Sequence, residues 1–171
     1  MKSLSKILLY VAIFSVLHFG YELTGLSVLK PFCGVDESVF EHIKMGFWAY
    51  LFVSIIEYFF VKRPLDSRNF WYSRIFSAIF VPWSIIIIWY ILPAIFGHVE
   101  SVVIELMWAF TVVFLSGLVG HLLEKNLERI APTNSLRMVI ILLFVVSVIF
   151  FVRFSFSKPS IDLFANPLLG D

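Results

Sequence analysis

The chain has 171 residues, 60% of them hydrophobic and 15% charged, which excludes a water-soluble fold because a domain of this length cannot bury so much apolar surface. Its net charge of +1 gives no strong field to attract nucleic acid, so we expect a lipid bilayer and no nucleic acid as partners. The single cysteine, Cys33, excludes an internal disulfide, and the sequence contains no Cys/His zinc spacing, nucleotide-binding glycine loop or nucleophile-elbow motif.

Five stretches are long and apolar enough to cross about 30 Å of hydrocarbon as helices. We therefore predict an all-α integral membrane protein with five transmembrane helices in one bundle, a single domain over residues 1–171. The first span begins "MKSLSKILLYVAIFSVL", but "LHFGYEL" follows in place of a signal-peptide cleavage pattern, so we expect a retained helix. In chain order the predicted spans are residues 7–29, 40–61, 75–96, 101–123 and 138–156, followed by a tail over 157–171.

Basic residues favour the cytoplasmic side of a membrane. Three regions that alternate along the predicted topology, one before span one and the others after spans two and four, hold 9 of the 13 lysines and arginines. The predicted localisation is a multi-pass protein of the cell membrane with a cytoplasmic amino terminus and an external carboxyl terminus. The nine residues are Lys2, Lys6, Lys62, Arg63, Arg68, Arg74, Lys125, Arg129 and Arg137.

The third predicted span contains two prolines, Pro82 and Pro93. Proline lacks the backbone N–H that a helix interior needs, and its ring clashes with the preceding turn. We therefore expect these residues to bend or end the third helix.

Ionisable residues crowd into "GVDESVFEHIK" at the predicted start of span two. One explanation is helix capping, because Ser38 and Glu41 have the spacing of a capping box and the acidic residues before them lie where a helix dipole favours negative charge. Lys44, three residues after Glu41, would then neutralise it. The other explanation is a polar site, since ionisable groups at membrane depth cost at least about 2.5–3.5 kcal/mol each and persist when they meet partners or line a wet cavity. The sequence leaves both explanations open.

Charged residues of four predicted spans fall at a common level near the predicted outer face. His18 and Glu22 are four residues apart and share a helix face, and the short loop after them makes spans one and two antiparallel neighbours. We therefore predict an outward-facing polar site for a small polar ligand or ion. Its predicted ligand-binding residues are Glu22, Glu41, His42, Glu105 and Arg153.

Carboxylates and imidazoles in one site are also suitable ligands for zinc, iron or manganese. A divalent metal is therefore the one cofactor that the sequence suggests. No HExxH or ExxH motif is present, so the alternative that these side chains only form hydrogen bonds stays open. The candidate metal ligands are His18, Glu22, Glu41 and His42.

Two features lie outside this predicted site. Glu57 and His121, near the predicted inner face, are interpreted as structural residues that pair with each other or with loop arginines. In the tail, Pro159 and Pro167 argue against a helix. The tail either folds over the outer mouth as a lid or forms a loosely held terminus.

The stretches "HFGYELTG", "GVDESVFEHIK" and "DLFANPLLG" resemble, in that order, an uncharacterised family of small prokaryotic integral membrane proteins classed as a domain of unknown function. That family has an "NESVWEH"-like motif before an early membrane helix and an "LFxDPxxG"-like tail. Here Asp36 replaces the asparagine, Phe40 the tryptophan and Asn166 the aspartate. The resemblance implies a polytopic membrane protein and no particular activity. The motif residues to which it points are Glu37, Ser38, Glu41 and His42.

Three functions are open at this point. The leading hypothesis is a protein that binds or moves a small polar ligand or ion; five helices make a thin barrier for a pore, so transport would require a homo-oligomer. The alternative is a membrane-embedded hydrolase, with or without a metal, in which Glu41 or Glu105 acts as base and Arg153 stabilises an anion. The third is a scaffold subunit that packs against other membrane proteins. Whether the protein is an enzyme is left open.

Overall fold

The computed structural model describes residues 2–60, 67–97 and 101–166, and every regular element in these residues is a helix. Five helices are long and apolar enough to cross a membrane. The predicted fold class, all-helical with five helices suited to a membrane bundle, is confirmed. The helices are α1 (Ser3–Thr24), α2 (Val39–Phe60), α3 (Ser67–Trp89) with its short continuation α4 (Ile91–Phe96), α5 (Val102–Leu127) and α6 (Asn134–Phe154).

The first helix lies nearer the amino terminus than predicted. It begins at Ser3 and ends at Thr24, because Gly25 adopts a left-handed φ of 65° and its N–H donates to the carbonyl of Tyr21 at 2.8 Å. From hydropathy alone, the polar residues at the start of this helix are predicted to lie in water, outside the span. The helix nevertheless includes Lys6, which is buried among partners described below.

The third span is interrupted near its end, and a side chain of α5 bonds to the backbone at the interruption. Pro82 lies inside α3, whereas Pro93 lies in α4, just after the helix is interrupted at Tyr90, so the predicted break occurs at the second proline. Because Pro93 has no N–H, the carbonyl of Trp89 lacks its helical donor. The indole N–H of Trp108, on α5, donates to that carbonyl at 3.1 Å. The break therefore gains a contact between helices.

Two glycines of α5 let neighbouring helices approach closely. A Cβ added to Gly117 would lie 2.5 Å from the ring of Tyr10, and one added to Gly120 would lie 2.6 Å from the ring of Tyr50. Small residues at such crossings are how membrane helices gain van der Waals contact. The Cβ at Gly120 would also lie 2.7 Å from Val81 on α3, so α5 packs against both α1 and α3, and α3 packs in turn against α2.

The central helix is α2. In its most apolar window 67% of residues are buried, against 11% for α6, so α2 is enclosed by protein and α6 presents most of its surface to the expected lipid. The helix α6 packs on α3 and meets α2 through aromatic rings. Phe47 lies with its ring centroid 5.8 Å from that of Phe144 and 5.1 Å from that of Phe151.

The described part of the tail packs back onto the start of α2 and is not loosely held, whereas its predicted role as a lid stays a prediction. It forms a turn of 3₁₀ helix at Asp162–Phe164, and Phe164 is buried. The ring centroid of Phe164 lies 4.6 Å from that of Phe40 and 5.3 Å from that of Phe154. Pro167, which was part of the tail prediction, lies outside the described residues.

We call the two ends of the bundle the amino-terminal end and the tail end. The amino-terminal end contains the starts of α1, α3 and α6 and the ends of α2 and α5; the tail end contains the opposite ends and the tail. The tail end is the predicted outer face, and this orientation stays a prediction. Lys62 and Arg63, on which it partly depends, lie outside the described residues, as does the side chain of Arg68.

Candidate functional site

The loop between α1 and α2 is packed against α1, which places polar side chains of the two helices opposite each other. The N–H of Gly34 donates to the carbonyl of Leu17 at 3.1 Å. Cys33 is buried with its sulfur against Gly20, where an added Cβ would lie only 2.8 Å from that sulfur. The loop therefore returns along the last turns of α1 and delivers its final residues beside His18.

Acidic side chains cap the start of α2, with a pairing different from the predicted one. The N–H of Ser38 donates to Asp36 Oδ1 at 3.0 Å, and the N–H of Val35 donates to Glu41 Oε2 at 3.1 Å. A capping box would instead join the carboxylate of Glu41 to the N–H of Ser38. The predicted acidic cap is present, but the predicted pairing is wrong because Asp36 already occupies the N–H of Ser38.

A single carboxylate lies against two histidines at this end of the bundle. Glu37 Oε2 is 3.7 Å from His18 Nε2 and 3.5 Å from His42 Nε2. The two imidazole rings meet edge to face with centroids 5.5 Å apart. One ligand atom from each of the three residues lies within 4.8 Å of the other two. We call His18, Glu37 and His42 the His–Glu–His cluster.

The backbone orients one of the two histidines. His42 Nδ1 lies 3.0 Å from the carbonyl oxygen of Ser38. Because a carbonyl only accepts, Nδ1 carries the proton and the neutral ring presents its lone pair at Nε2, the atom nearest Glu37. Trp89 stacks on the same imidazole with centroids 6.5 Å apart. A histidine with Nδ1 bonded to the backbone and Nε2 available is oriented as metal-ligating histidines are.

Solvent reaches the cluster, and its carboxylate is ionised. The side chain of Glu37 is 41% exposed and those of His18 and His42 are 27% exposed. Contact with His18 lowers the pKa of Glu37, against the opposing effect of partial burial. Glu37 is therefore a carboxylate at neutral pH, the form that binds cations.

A pocket with a volume of about 250 Å³ opens beside the cluster. Its lining is rich in carboxylates, which attract cations and repel anionic ligands. The pocket connects His18 and Glu37 of the cluster to solvent. The lining residues are His18, Tyr21, Glu22, Gly34, Val35, Asp36 and Glu37.

A buried ion pair lies at the start of α2 beside the cluster. Glu41 and Lys44 are both 0% exposed, with Nζ 2.5 Å from Oε2, so the prediction that Lys44 neutralises Glu41 is confirmed. The same Nζ donates to the carbonyl of Lys30 at 2.7 Å and to Ser155 Oγ at 3.2 Å. Lys44 thus connects α2 to the end of α6 and to the loop after α1.

The structure brings only part of the predicted site together. His18 and His42 lie in the cluster and Glu22 lines the pocket, but Glu41 is enclosed by lysines and is not among the residues that line the pocket.

Two predicted site residues lie apart from the pocket. Glu105 and Arg153 are exposed on α5 and α6, and in the described part of the chain neither pairs with a side chain of the cluster. Arg153 instead borders a shallow apolar groove of about 390 Å³. Of the four predicted metal ligands, His18 and His42 lie in the cluster together with Glu37, a residue of the resemblance motif, and Glu22 and Glu41 do not.

The amino-terminal end of the bundle holds a second charged network, which is more deeply buried. Lys6 Nζ lies 2.6 Å from Glu57 Oε2 and 2.5 Å from Glu124 Oε2. Tyr50 donates its hydroxyl to Glu124 at 2.7 Å, and His121 Nδ1 lies 2.9 Å from the same carboxylate. Neither Tyr50 nor Glu124 is among the predicted site residues.

Arg74, on α3, extends this network to a fourth helix. Its guanidinium lies 3.2 Å from Glu57 Oε2 and also bonds to Glu128. Glu57 thus pairs with Lys6 and with an arginine that the sequence analysis placed in a loop, rather than with His121. Because the network is enclosed and its charges meet partners on four helices, it supports the structural interpretation.

Comparison with known proteins assigns a family and no activity. Residues 2–171 match a family of unknown function, DUF6512. The chain belongs to DUF6512. No curated protein and no solved structure matches it. Because DUF6512 is a family of unknown function, membership supplies no chemistry, and a function for this DUF6512 member must be argued from the His–Glu–His cluster.

Proposed function

We propose that this membrane protein binds a divalent transition-metal ion at the His–Glu–His cluster. The supporting observation is that His18 Nε2, Glu37 Oε2 and His42 Nε2 converge. Ligands about 2.0–2.2 Å from a tetrahedral zinc ion lie about 3.4 Å from one another. The separations of 3.5 and 3.7 Å from Glu37 therefore need little adjustment.

The ligand set favours zinc, iron or manganese over calcium or magnesium. Calcium takes six to eight oxygen ligands and magnesium requires octahedral oxygen coordination, whereas two imidazoles suit the transition metals. Three protein ligands leave a fourth position of a tetrahedral ion open to the pocket. Movement of the ion by a homo-oligomer stays a prediction from the sequence.

Zinc titration tests the proposal. Calorimetric titration of chelator-stripped protein in detergent with ZnCl₂ should show one site per chain. Replacing His42 with alanine should weaken binding about 100-fold or more, because it removes one of three ligands. Glu105→Gln is the matched control, since Glu105 is exposed and outside the cluster, and should leave the affinity unchanged. Equal zinc affinity in the wild type and His42→Ala, or no zinc binding by the folded wild type, would refute the proposal.

A zinc hydrolase is the second candidate function. Two histidines and one carboxylate with an open position form the ligand set of several catalytic zinc sites, in which zinc lowers the pKa of bound water to about 7. Glu22 lines the adjoining pocket and would serve as the base. The acidic lining favours neutral or cationic substrates over phosphate esters.

The hydrolase candidate predicts a separation of activity from binding. Zinc-loaded protein should cleave neutral ester or amide substrates, and Glu22→Gln should reduce that rate about 100-fold or more while changing zinc affinity much less. A panel of such substrates assayed with and without zinc measures this. If the Glu22→Gln variant is as active as the wild type, or if no substrate is turned over, the hydrolase candidate is refuted. The proposal of metal binding without hydrolysis then remains.

A further inference from the structure

Lys158 joins the tail to the acidic start of α2. Its Nζ lies 2.5 Å from Asp36 Oδ2, 2.7 Å from Glu41 Oε1 and 3.4 Å from Ser38 Oγ. One cation of the tail therefore faces two carboxylates.

The two carboxylates that Lys158 contacts are sequence neighbours of the metal-ligand candidates. Asp36 directly precedes Glu37, and Glu41 directly precedes His42. Asp36 also lines the pocket that opens beside the cluster. The charge on Lys158 thus offsets negative charge that would otherwise attract a cation to the pocket.

The position of Lys158 depends on packing rather than on the ion pairs alone. The tail is anchored six residues later by Phe164, which is buried between Phe40 and Phe154. Lys158 is 22% exposed, so its field is only partly screened by solvent. The anchored tail keeps this cation beside the start of α2.

We propose that Lys158 sets the metal affinity of the His–Glu–His cluster, lowering it by neutralising Asp36, since Lys44 already neutralises Glu41. This inference rests on the proposed metal-binding function. A unit charge roughly 10 Å from a divalent ion, at an effective dielectric constant of about 40, changes an affinity roughly tenfold. Lys158 is therefore an affinity-determining residue that does not touch the metal.

The test measures zinc affinity in Lys158→Met at low and high salt. At 20 mM NaCl we expect zinc to bind about tenfold more tightly than in the wild type, and at 500 mM NaCl we expect this gain to shrink, because salt screens the partly exposed charges. Lys158→Arg keeps the charge and should remain within threefold of the wild type. Unchanged or weaker binding by folded Lys158→Met overturns the inference.

A second variant keeps the inference testable if Lys158→Met fails to fold. Asp36→Asn removes a negative charge and should weaken zinc binding about tenfold at low salt, with the loss shrinking at high salt. The double variant Asp36→Asn, Lys158→Met should return to within about threefold of the wild type. A loss in Asp36→Asn that exceeds 100-fold and persists at high salt would make Asp36 a ligand and overturn the inference, as would no loss at all.

The two proposals fail in different ways. If the folded wild type binds no zinc, the metal-binding function is refuted and the role of Lys158 is refuted with it. If the wild type binds zinc and loses it in His42→Ala, while Lys158→Met binds no more tightly than the wild type, only the role of Lys158 is refuted.

Discussion

Replacing Lys6 with methionine is expected to lower the free energy of unfolding by about 3–5 kcal/mol, because breaking one side of a buried ion pair leaves uncompensated charge in the bundle. Lys6 Nζ lies within 2.6 Å of carboxylate oxygens of both Glu57 and Glu124, and all three side chains are at most 1% exposed. Methionine retains most of the side-chain length, so little packing is lost. Thermal unfolding in detergent, followed by circular dichroism, measures the change.

Lys2→Met is the matched control for this prediction. Lys2 lies at the start of the same helix but is exposed, so its replacement should change the stability by less than about 0.5 kcal/mol. Adding Glu124→Gln to Lys6→Met should recover part of the loss, because removing both partners of a buried pair costs less than removing one. If Lys6→Met and Lys2→Met were equally stable, the network would not hold α1 in the bundle.

Lys6 also shows how far hydropathy reasoning extends. The five apolar runs predict five helices because lipid demands internally bonded backbone, and this prediction is confirmed. A basic residue near the start of a span is normally assigned to the cytoplasm, so the first span was predicted to begin later than it does. The partner that buries Lys6, Glu124, is 118 residues away in sequence, and no local pattern announces such a pairing.

The candidate site shows that the rotation of a helix about its axis is harder to predict from the sequence than the position of a residue along it. The depth of a residue in the membrane can be predicted from its position along a predicted span. Because Glu105 and Arg153 share a predicted depth with His18 and His42, we predicted that all four lie in one site. The rotation of each helix about its axis is set by packing, and it leaves Glu105 and Arg153 on exposed surfaces. The histidines meet because the loop after α1, residues 25–38, packs back against α1, and that loop supplies Glu37 as the shared carboxylate.

The tail contains a functional candidate, Lys158, that no sequence pattern predicts. Lys158 is the one basic residue of the predicted tail, and a lone lysine near a chain end is normally solvated. Its placement depends on Phe164 entering the aromatic group around Phe40, a contact between residues 124 positions apart. The resemblance motifs at the two ends of the chain, at residues 34–44 and 162–170, are consistent with this contact because they include both rings.

Replacing Gly120 with valine is expected to lower the free energy of unfolding by about 3 kcal/mol, because three helices leave no room for a side chain there. A Cβ at this position would lie 2.6 Å from the ring of Tyr50 and 2.7 Å from Val81 Cγ2. The ring cannot move aside freely, since the hydroxyl of Tyr50 donates to Glu124 at 2.7 Å. Thermal unfolding in detergent, followed by circular dichroism, again measures the change.

Leu122→Val, on the same helix, controls for the β-branched residue, because Leu122 is 53% exposed and should tolerate the change within about 0.5 kcal/mol. Gly25→Ala separates space from backbone strain: it has nothing within 4 Å, and only its φ of 65° should make alanine cost about 1 kcal/mol. If Gly120→Val were as stable as Leu122→Val, the close approach at Gly120 would contribute nothing to the fold. If it were as unstable as expected, its effect should not simply add to that of Lys6→Met, because Tyr50 contacts both Gly120 and the carboxylate that Lys6 neutralises.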